Sequence, residues 1–162
     1  MRLTTFNTTV NQPSEYHSSL QMVSRVDDRA VMPGGGTALL DGIGQVLSSL
    51  PVNSAQPCVV CIVTDGHENS SRSFSQTQVN KMIAERMNNN WTFIFLAANQ
   101  NAAATGAKFG LGAGSCATFS PAVDGISAAF QAAHQLASRS WKSTDADVRS
   151  FTTNERNAMH TG

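Results

Sequence analysis

The stretch Cys58–Ser71, CVVCIVTDGHENSS, decides how the rest of the chain is read. Its first six residues form a continuous apolar run. Such a run predicts a strand buried on both faces, as in a parallel sheet. Thr64-Asp65-Gly66 ends it, and Asp-Gly favours a turn. The following loop therefore leaves the carboxyl end of a strand, where open α/β sheets bind their ligands. Cys58 and Cys61 point to opposite faces of this strand, so their spacing is read as structural, not as a metal or redox pair.

Upstream lies Val31–Gly42, VMPGGGTALLDG. Its glycines permit a sharp bend or a close approach to a ligand. Leu39, Ile43, Val46, Leu47 and Leu50 then form a helical stripe that Pro51 ends. Thr37 stands at the mouth of that helix, as either its cap or a ligand. Asp41, in the first turn, is read as a partner for the helix dipole.

Downstream, strand and helix alternate. Ser75-x-x-Gln78 has the form of a capping box, followed by Val79, Met82, Ile83 and Met87 as an apolar stripe. Trp91–Ala98 reads as a second buried strand. Asn101–Gly110 holds a short helix and Ser115–Ser120 a short strand. Ser120-Pro121 open a long helix with Val123, Ile126, Phe130, Ala133 and Ala137 on its packed face. His134, beside that stripe, and Trp91 and Trp141 are read as packing residues. Residues 2–10 are rich in Thr, Phe and Val and predict a strand, and residues 15–20 a second short one. Asp27 and Asp28 lie in a region with no clear pattern. The alternation implies an α/β fold, a three-layer α/β/α sandwich with a Rossmann-like, mainly parallel sheet. It forms one domain over 1–141, with a frayed polar tail over 142–162 that includes a helical turn or two.

The totals narrow the function. The chain has 162 residues, suited to one domain, and a formal net charge of zero. That balance gives no electrostatic footprint for nucleic acid or an anionic membrane. No apolar run is long enough to span a bilayer, and the N-terminus lacks the apolar core of a signal peptide. Three cysteines, an odd count, suit a reducing, cytoplasmic setting.

Gly-Gly-Thr-Ala-Leu at 35–39 and Thr-Asp-Gly-x-Glu-Asn at 64–69, with LTTFNT before them and WTFIFLAANQ after, resemble the von Willebrand factor A domain over about residues 2–141. The resemblance implies a non-enzymatic protein-binding module. In that family a divalent cation sits at the top of the sheet, held by a D-x-S-x-S loop, a threonine and an aspartate. It recruits an acidic side chain from a protein partner. By position, Thr37 matches the threonine and Asp65 the aspartate, and the two are expected to approach each other at the carboxyl edge of the sheet. Hydroxyl and carboxylate oxygens suit Mg²⁺, Mn²⁺ or Ca²⁺. The sequence contains no D-x-S-x-S. The metal-ion-dependent adhesion site is thus incomplete, as in a truncated domain, and weak cation binding is expected.

Two other functions compete. Asp65, His67 and Glu68 could form a metal-dependent hydrolase site, but adjacent loop residues diverge and no second histidine stands at ligand spacing, so His67 and Glu68 are read as solvated. A nucleotide-binding doubly wound domain is the other. Gly110–Ser115, GLGAGS, mimics its phosphate loop but precedes a strand instead of following one.

The family's missing first strand would lie between the strand at 2–10 and that at 58–64. Either the strand at 2–10 shifts across to pair with 58–64, or a strand from another chain fills the slot, giving a homo-oligomer or a complemented complex.

Overall fold

The computed structural model describes residues 2–11, 34–52 and 57–160. The expected short strand at 15–20, and Asp27 and Asp28, lie outside the described residues. The chain divides into two compact units. The first comprises Met1–Leu50 with His67–Ser75, the second Pro51–Gly66 with Gln76–Gly162.

In the first unit the glycine-rich stretch leads into helix α1 (Leu39–Ser48). Leu39, Leu40, Ile43 and Leu47 are buried on it. Burial of each such side chain contributes roughly 1.5–3 kcal/mol. The helix stops short of Pro51, and Ser49 closes it by donating its N–H to Gln45 and Val46. Residues 2–10 do not form the expected strand. They hold one isolated antiparallel bridge, Phe6 to Val10. The Asn7 side chain accepts the N–H of Thr9, and the N–H of Asn11 returns to the Thr5 carbonyl. This local turn takes up backbone groups that a strand would offer to a neighbour.

The second unit carries a parallel three-stranded sheet with helices, an α/β arrangement. Its strands are β1 (Val59–Thr64), β2 (Thr92–Ala98) and β3 (Cys116–Phe119), in the order β1-β2-β3. Val59 pairs with Thr92 and Phe95 with Cys116. Helices α2 (Gln76–Met87) and α3 (Ala102–Ala107) lie between the strands in sequence. Helices α4 (Val123–Lys142) and α5 (Thr153–Met159) follow β3. Every residue of β2 is buried. Ile94, Leu96 and Ala98 pack with Ala129, Ala132, Ala133 and Leu136 of α4 and with Phe151 and Met159. Phe95, from the alternate set, meets Phe109 with ring centres 6.0 Å apart.

Three expectations need correction here. First, β1 is not buried on both faces: Cys61 is exposed and Val59, Val60 and Val63 are half-buried. Among the described residues its ladder runs to β2 alone, which leaves it an edge strand. Second, only part of the face expected for α4 packs: Ala133 is buried and Ala137 lies against the core, but the three large residues of that face do not. Gly125, Ala129, Ala132 and Leu136 face inward, while Val123, Ile126, Phe130, His134 and Trp141 are exposed. Small residues let the helix lie close to the sheet, so the larger ones on the neighbouring face stay outside. Third, the segment after 142 is packed and not frayed, and the helical turns expected in it are α5. A capping box starts α5: the Thr152 hydroxyl accepts the Glu155 N–H and the Glu155 carboxylate accepts the Thr152 N–H. Arg139 of α4 grips both Glu155 oxygens, at 2.7 and 3.0 Å, and donates to the carbonyls of Val148 and Ser150. Arg156 donates to the Cys116, Ala113 and Gly114 carbonyls beside β3.

Loss of this cap should be felt globally. Thr152→Ala is expected to lower stability by about 1 kcal/mol, a fall in Tm of about 2–4 °C for a chain of this size. An unchanged melting curve would mean that α5 is not part of the cooperative unit.

Candidate functional site

A helix leaves its first backbone N–H groups without partners inside the helix. At α1 the residue in the N-cap position is Ala38, which has no side-chain acceptor. Thr37, one residue too early, does not cap the helix with its hydroxyl. The acceptors arrive from elsewhere in the unit, before the helix and after it. Glu68 Oε2 accepts the N–H of Leu40 at 2.8 Å, the Ser71 hydroxyl accepts that of Asp41 at 3.0 Å, and the Asn7 carbonyl accepts that of Ala38 at 2.7 Å.

The exchange is reciprocal. Asp41 points its carboxylate back at the loop and accepts three N–H groups, from Arg72, Ser73 and Phe74. Glu68 also holds its own loop, accepting the N–H groups of Ser70 and Ser71 and the Ser71 hydroxyl. The Thr37 carbonyl accepts the N–H groups of Asn69 and Ser70, while its N–H goes to Asn69 Oδ1 at 2.8 Å. The two signature stretches, GGGTALLD and HENSS, are thus laced together backbone to side chain. Gly36 permits this closeness, because a Cβ there would run into the Ser70 hydroxyl and Asn69 Oδ1. Gly35 has φ +80, a conformation that strains other residues.

Both carboxylates are tuned by this arrangement. Burial raises the pKa of Glu68, but the hydrogen bonds from Leu40, Ser71 and Ser70 outweigh it and the net shift is downward. The same balance holds for Asp41, where burial is outweighed by the three loop N–H groups. Sequence reasoning saw Asp41 as a dipole partner and Glu68 as solvated. Glu68 is instead half-buried with both oxygens engaged. The signal available was the Asp41 position in a first turn that lacks a capping side chain of its own.

Thr37 belongs to the first unit and is half-buried. Its backbone is fixed on both sides, yet its hydroxyl has no hydrogen bond among the described residues. His67, in the same unit, is exposed. Asp65 belongs to the second unit and stands just past the carboxyl end of β1, exposed, with its carboxylate likewise uncommitted among the described residues. The turn it occupies is held by Thr64, whose hydroxyl bonds both the carbonyl and the N–H of Gly66. Gln100, from the loop after β2, reaches the Gly66 carbonyl with Nε2 and accepts the Thr105 hydroxyl. The two loops expected at the carboxyl edge of the sheet, after β1 and after β2, therefore meet through Gln100. Beside the second loop, a cavity of about 500 Å³ is lined by Asn99, Asn101, Thr118, Arg156 and His160 among others. The glycine-rich GLGAGS segment forms a short 3-10 turn, Ala113–Ser115, that runs straight into β3, so it has no helix start to cradle a phosphate.

Among the described residues no three His, Cys, Asp or Glu side chains gather as a metal group. No helix among them is long and apolar enough to cross a membrane. Comparison with protein-family models, curated proteins and solved structures gave no match.

Two outcomes test the lacing of the first unit. Gly44→Ala in the middle of a helix ordinarily stabilises by up to about 1 kcal/mol. Here a Cβ would run into the Phe74 ring, so Gly44→Ala is expected to destabilise, as read from urea unfolding midpoints. A stabilised variant would show that Phe74 does not pack on α1. The second concerns pH. Glu68 and Asp41 have folded pKa values below their unfolded ones of about 4, so their stabilisation is complete above that value and is lost as pH falls through the folded values. Glu68→Gln and Asp41→Asn should therefore weaken the fold at neutral pH, and their difference from the native chain should shrink on acidification. A difference independent of pH would contradict the assignment.

Proposed function

We propose that this chain is a non-enzymatic protein-binding module of the von Willebrand factor A type, a three-layer α/β/α sandwich with an incomplete metal-ion-dependent adhesion site. In this reading Thr37 and Asp65 each give an oxygen to a divalent cation, Mg²⁺ or equally Mn²⁺ or Ca²⁺. Water fills the remaining positions, and the ion recruits an acidic side chain from a protein partner.

One observation carries the reading. Asp41 and Glu68 are committed to backbone N–H groups, whereas the Thr37 hydroxyl and the Asp65 carboxylate are not committed among the described residues. Thr37 has its backbone fixed and its capping role taken over by Glu68 and Ser71, which suits a hydroxyl kept for a ligand. Both donors are hard oxygens, the kind such cations prefer. They make a thin ligand set, so affinity is expected to be weak, on the order of millimolar, as for cation sites with few protein ligands.

The hydrolase reading draws less support. Glu68 has both oxygens occupied and its carboxylate held in the charged form, which suits neither a general acid nor an open ligand. The nucleotide-binding reading lacks a loop in the right context.

The test is a Mg²⁺ or Mn²⁺ titration followed by NMR, with and without an acidic peptide. Cation-dependent peptide binding should be lost in Asp65→Ala and reduced in Thr37→Val. Peptide binding that ignores the cation, or ester or phosphodiester hydrolysis that survives in Thr37→Val and fails in Glu68→Gln, would overturn the proposal.

A further inference from the structure

Helix α4 has two apolar faces, and its packing accounts for only one. Gly125, Ala129, Ala132 and Leu136 are buried. On the neighbouring face Val123 is 82 % exposed, Phe130 56 %, Trp141 53 % and Ile126 38 %. Of the large hydrophobics exposed among the described residues, only Met87 lies elsewhere, so the exposure is concentrated on this one helix. Contiguous apolar surface of this kind marks an association site.

We propose that this face of α4 docks against the same face of a second copy of the chain, with the two helices antiparallel. A two-fold contact requires a patch complementary to itself. When α4 is inverted about Ala132, Val123 falls opposite the second copy's Trp141, and Phe130 falls opposite the second copy's His134. A shallow recess of about 530 Å³ lies beside Phe130, lined by Ser127, Gln131, His134 and Gln135. It offers a hole for the second copy's Phe130, in the manner of side chains interlocking between helices.

Charge fixes the direction. Asp124 is acidic in the first turn and Lys142 basic in the last. The 18 positions from 124 to 142 make about five turns at 3.6 residues per turn, so both stand on one flank of the stripe. An antiparallel pair brings Asp124 of each copy to Lys142 of the other, at both ends. A parallel pair sets like charge beside like. The helix dipoles favour the same antiparallel choice. The stripe itself carries no carboxylate, ammonium or guanidinium group, so nothing charged is desolvated at its centre.

Two helices of about 30 Å bury less than the roughly 1,200–2,000 Å² of a standard interface, so the dimer is weak, with Kd on the order of 100 µM. Sedimentation equilibrium from about 10 µM to about 1 mM brackets that value. The native chain should pass from monomer to dimer across this range. Phe130→Glu, at an exposed position, should keep the circular dichroism of the native chain and remain monomeric. Asp124→Lys or Lys142→Asp alone should raise Kd at least about fivefold, from an ion pair turned to repulsion at both ends. The double exchange, Asp124→Lys with Lys142→Asp, should return it to within about twofold of the native value. The proposal is overturned by a native chain that stays monomeric at about 1 mM, including one that binds lipid vesicles instead. It is equally overturned by a dimer indifferent to Phe130→Glu, or by a double exchange that fails to restore association.

Discussion

The carboxylate of Glu68 is the constraint on which the first unit depends. It closes the N-terminus of α1 by accepting the Leu40 N–H, and it holds its own loop by accepting those of Ser70 and Ser71. A helix whose N-cap is alanine would otherwise leave those donors short of partners, at a cost of about 1–3 kcal/mol for each one buried. Because the acceptor comes from a distant loop, capping the helix and ordering that loop are one event. Asp41 returns the favour by accepting the N–H groups of Arg72, Ser73 and Phe74. Thr37, relieved of capping, has its backbone anchored by Asn69 and Ser70. The glycines answer to the same geometry, since Gly36 lets the chain pass against Asn69 and Ser70.

The second unit is organised around β2, buried along its whole length between two neighbours in a parallel ladder. The two edges differ. At β3 the Cys116 carbonyl is taken by Arg156, and the Ser120 N–H that follows the strand goes to the Met159 carbonyl, so α5 shields that side. Arg139 and Glu155 in turn lock α5 to α4. At β1 the exposure of Cys61 marks a less covered edge. The same economy explains α4, whose small residues and Leu136 serve the sheet while Val123, Ile126, Phe130 and Trp141 face outward.

Much of this was legible in the sequence. The apolar runs at 58–63 and 91–98 placed β1 and β2, because continuous hydrophobicity between turn residues leaves little alternative. The short helix read within Asn101–Gly110 forms as α3, with the Asn101 side chain accepting the Ala104 N–H. What failed had physical causes. Burial of β1 was overestimated because its composition suits a central strand while, among the described residues, its ladder runs to one neighbour. On α4 Ala133 and Ala137 were placed correctly, but Val123, Ile126 and Phe130 were misassigned because periodicity weighs large residues, while alanine and glycine permit the closest approach to a sheet. The strand expected at 2–10 gave way to a turn built by Asn7, a residue whose side chain competes with strand pairing. In the candidate site, Thr37, Asp41 and Asp65 drew notice as residue types in context. The role of Glu68 did not, because a cap supplied from 28 positions away has no local signature.

Amide hydrogen exchange at Leu40 tests the central claim most directly, compared between Glu68→Ala and Thr37→Val. If Glu68 closes the helix and Thr37 does not, Glu68→Ala should speed exchange at Leu40 about tenfold or more, the loss of a hydrogen bond to a charged group. Thr37→Val should leave that rate unchanged. Faster exchange at Leu40 in Thr37→Val, with Glu68→Ala indistinguishable from the native chain, would contradict the account.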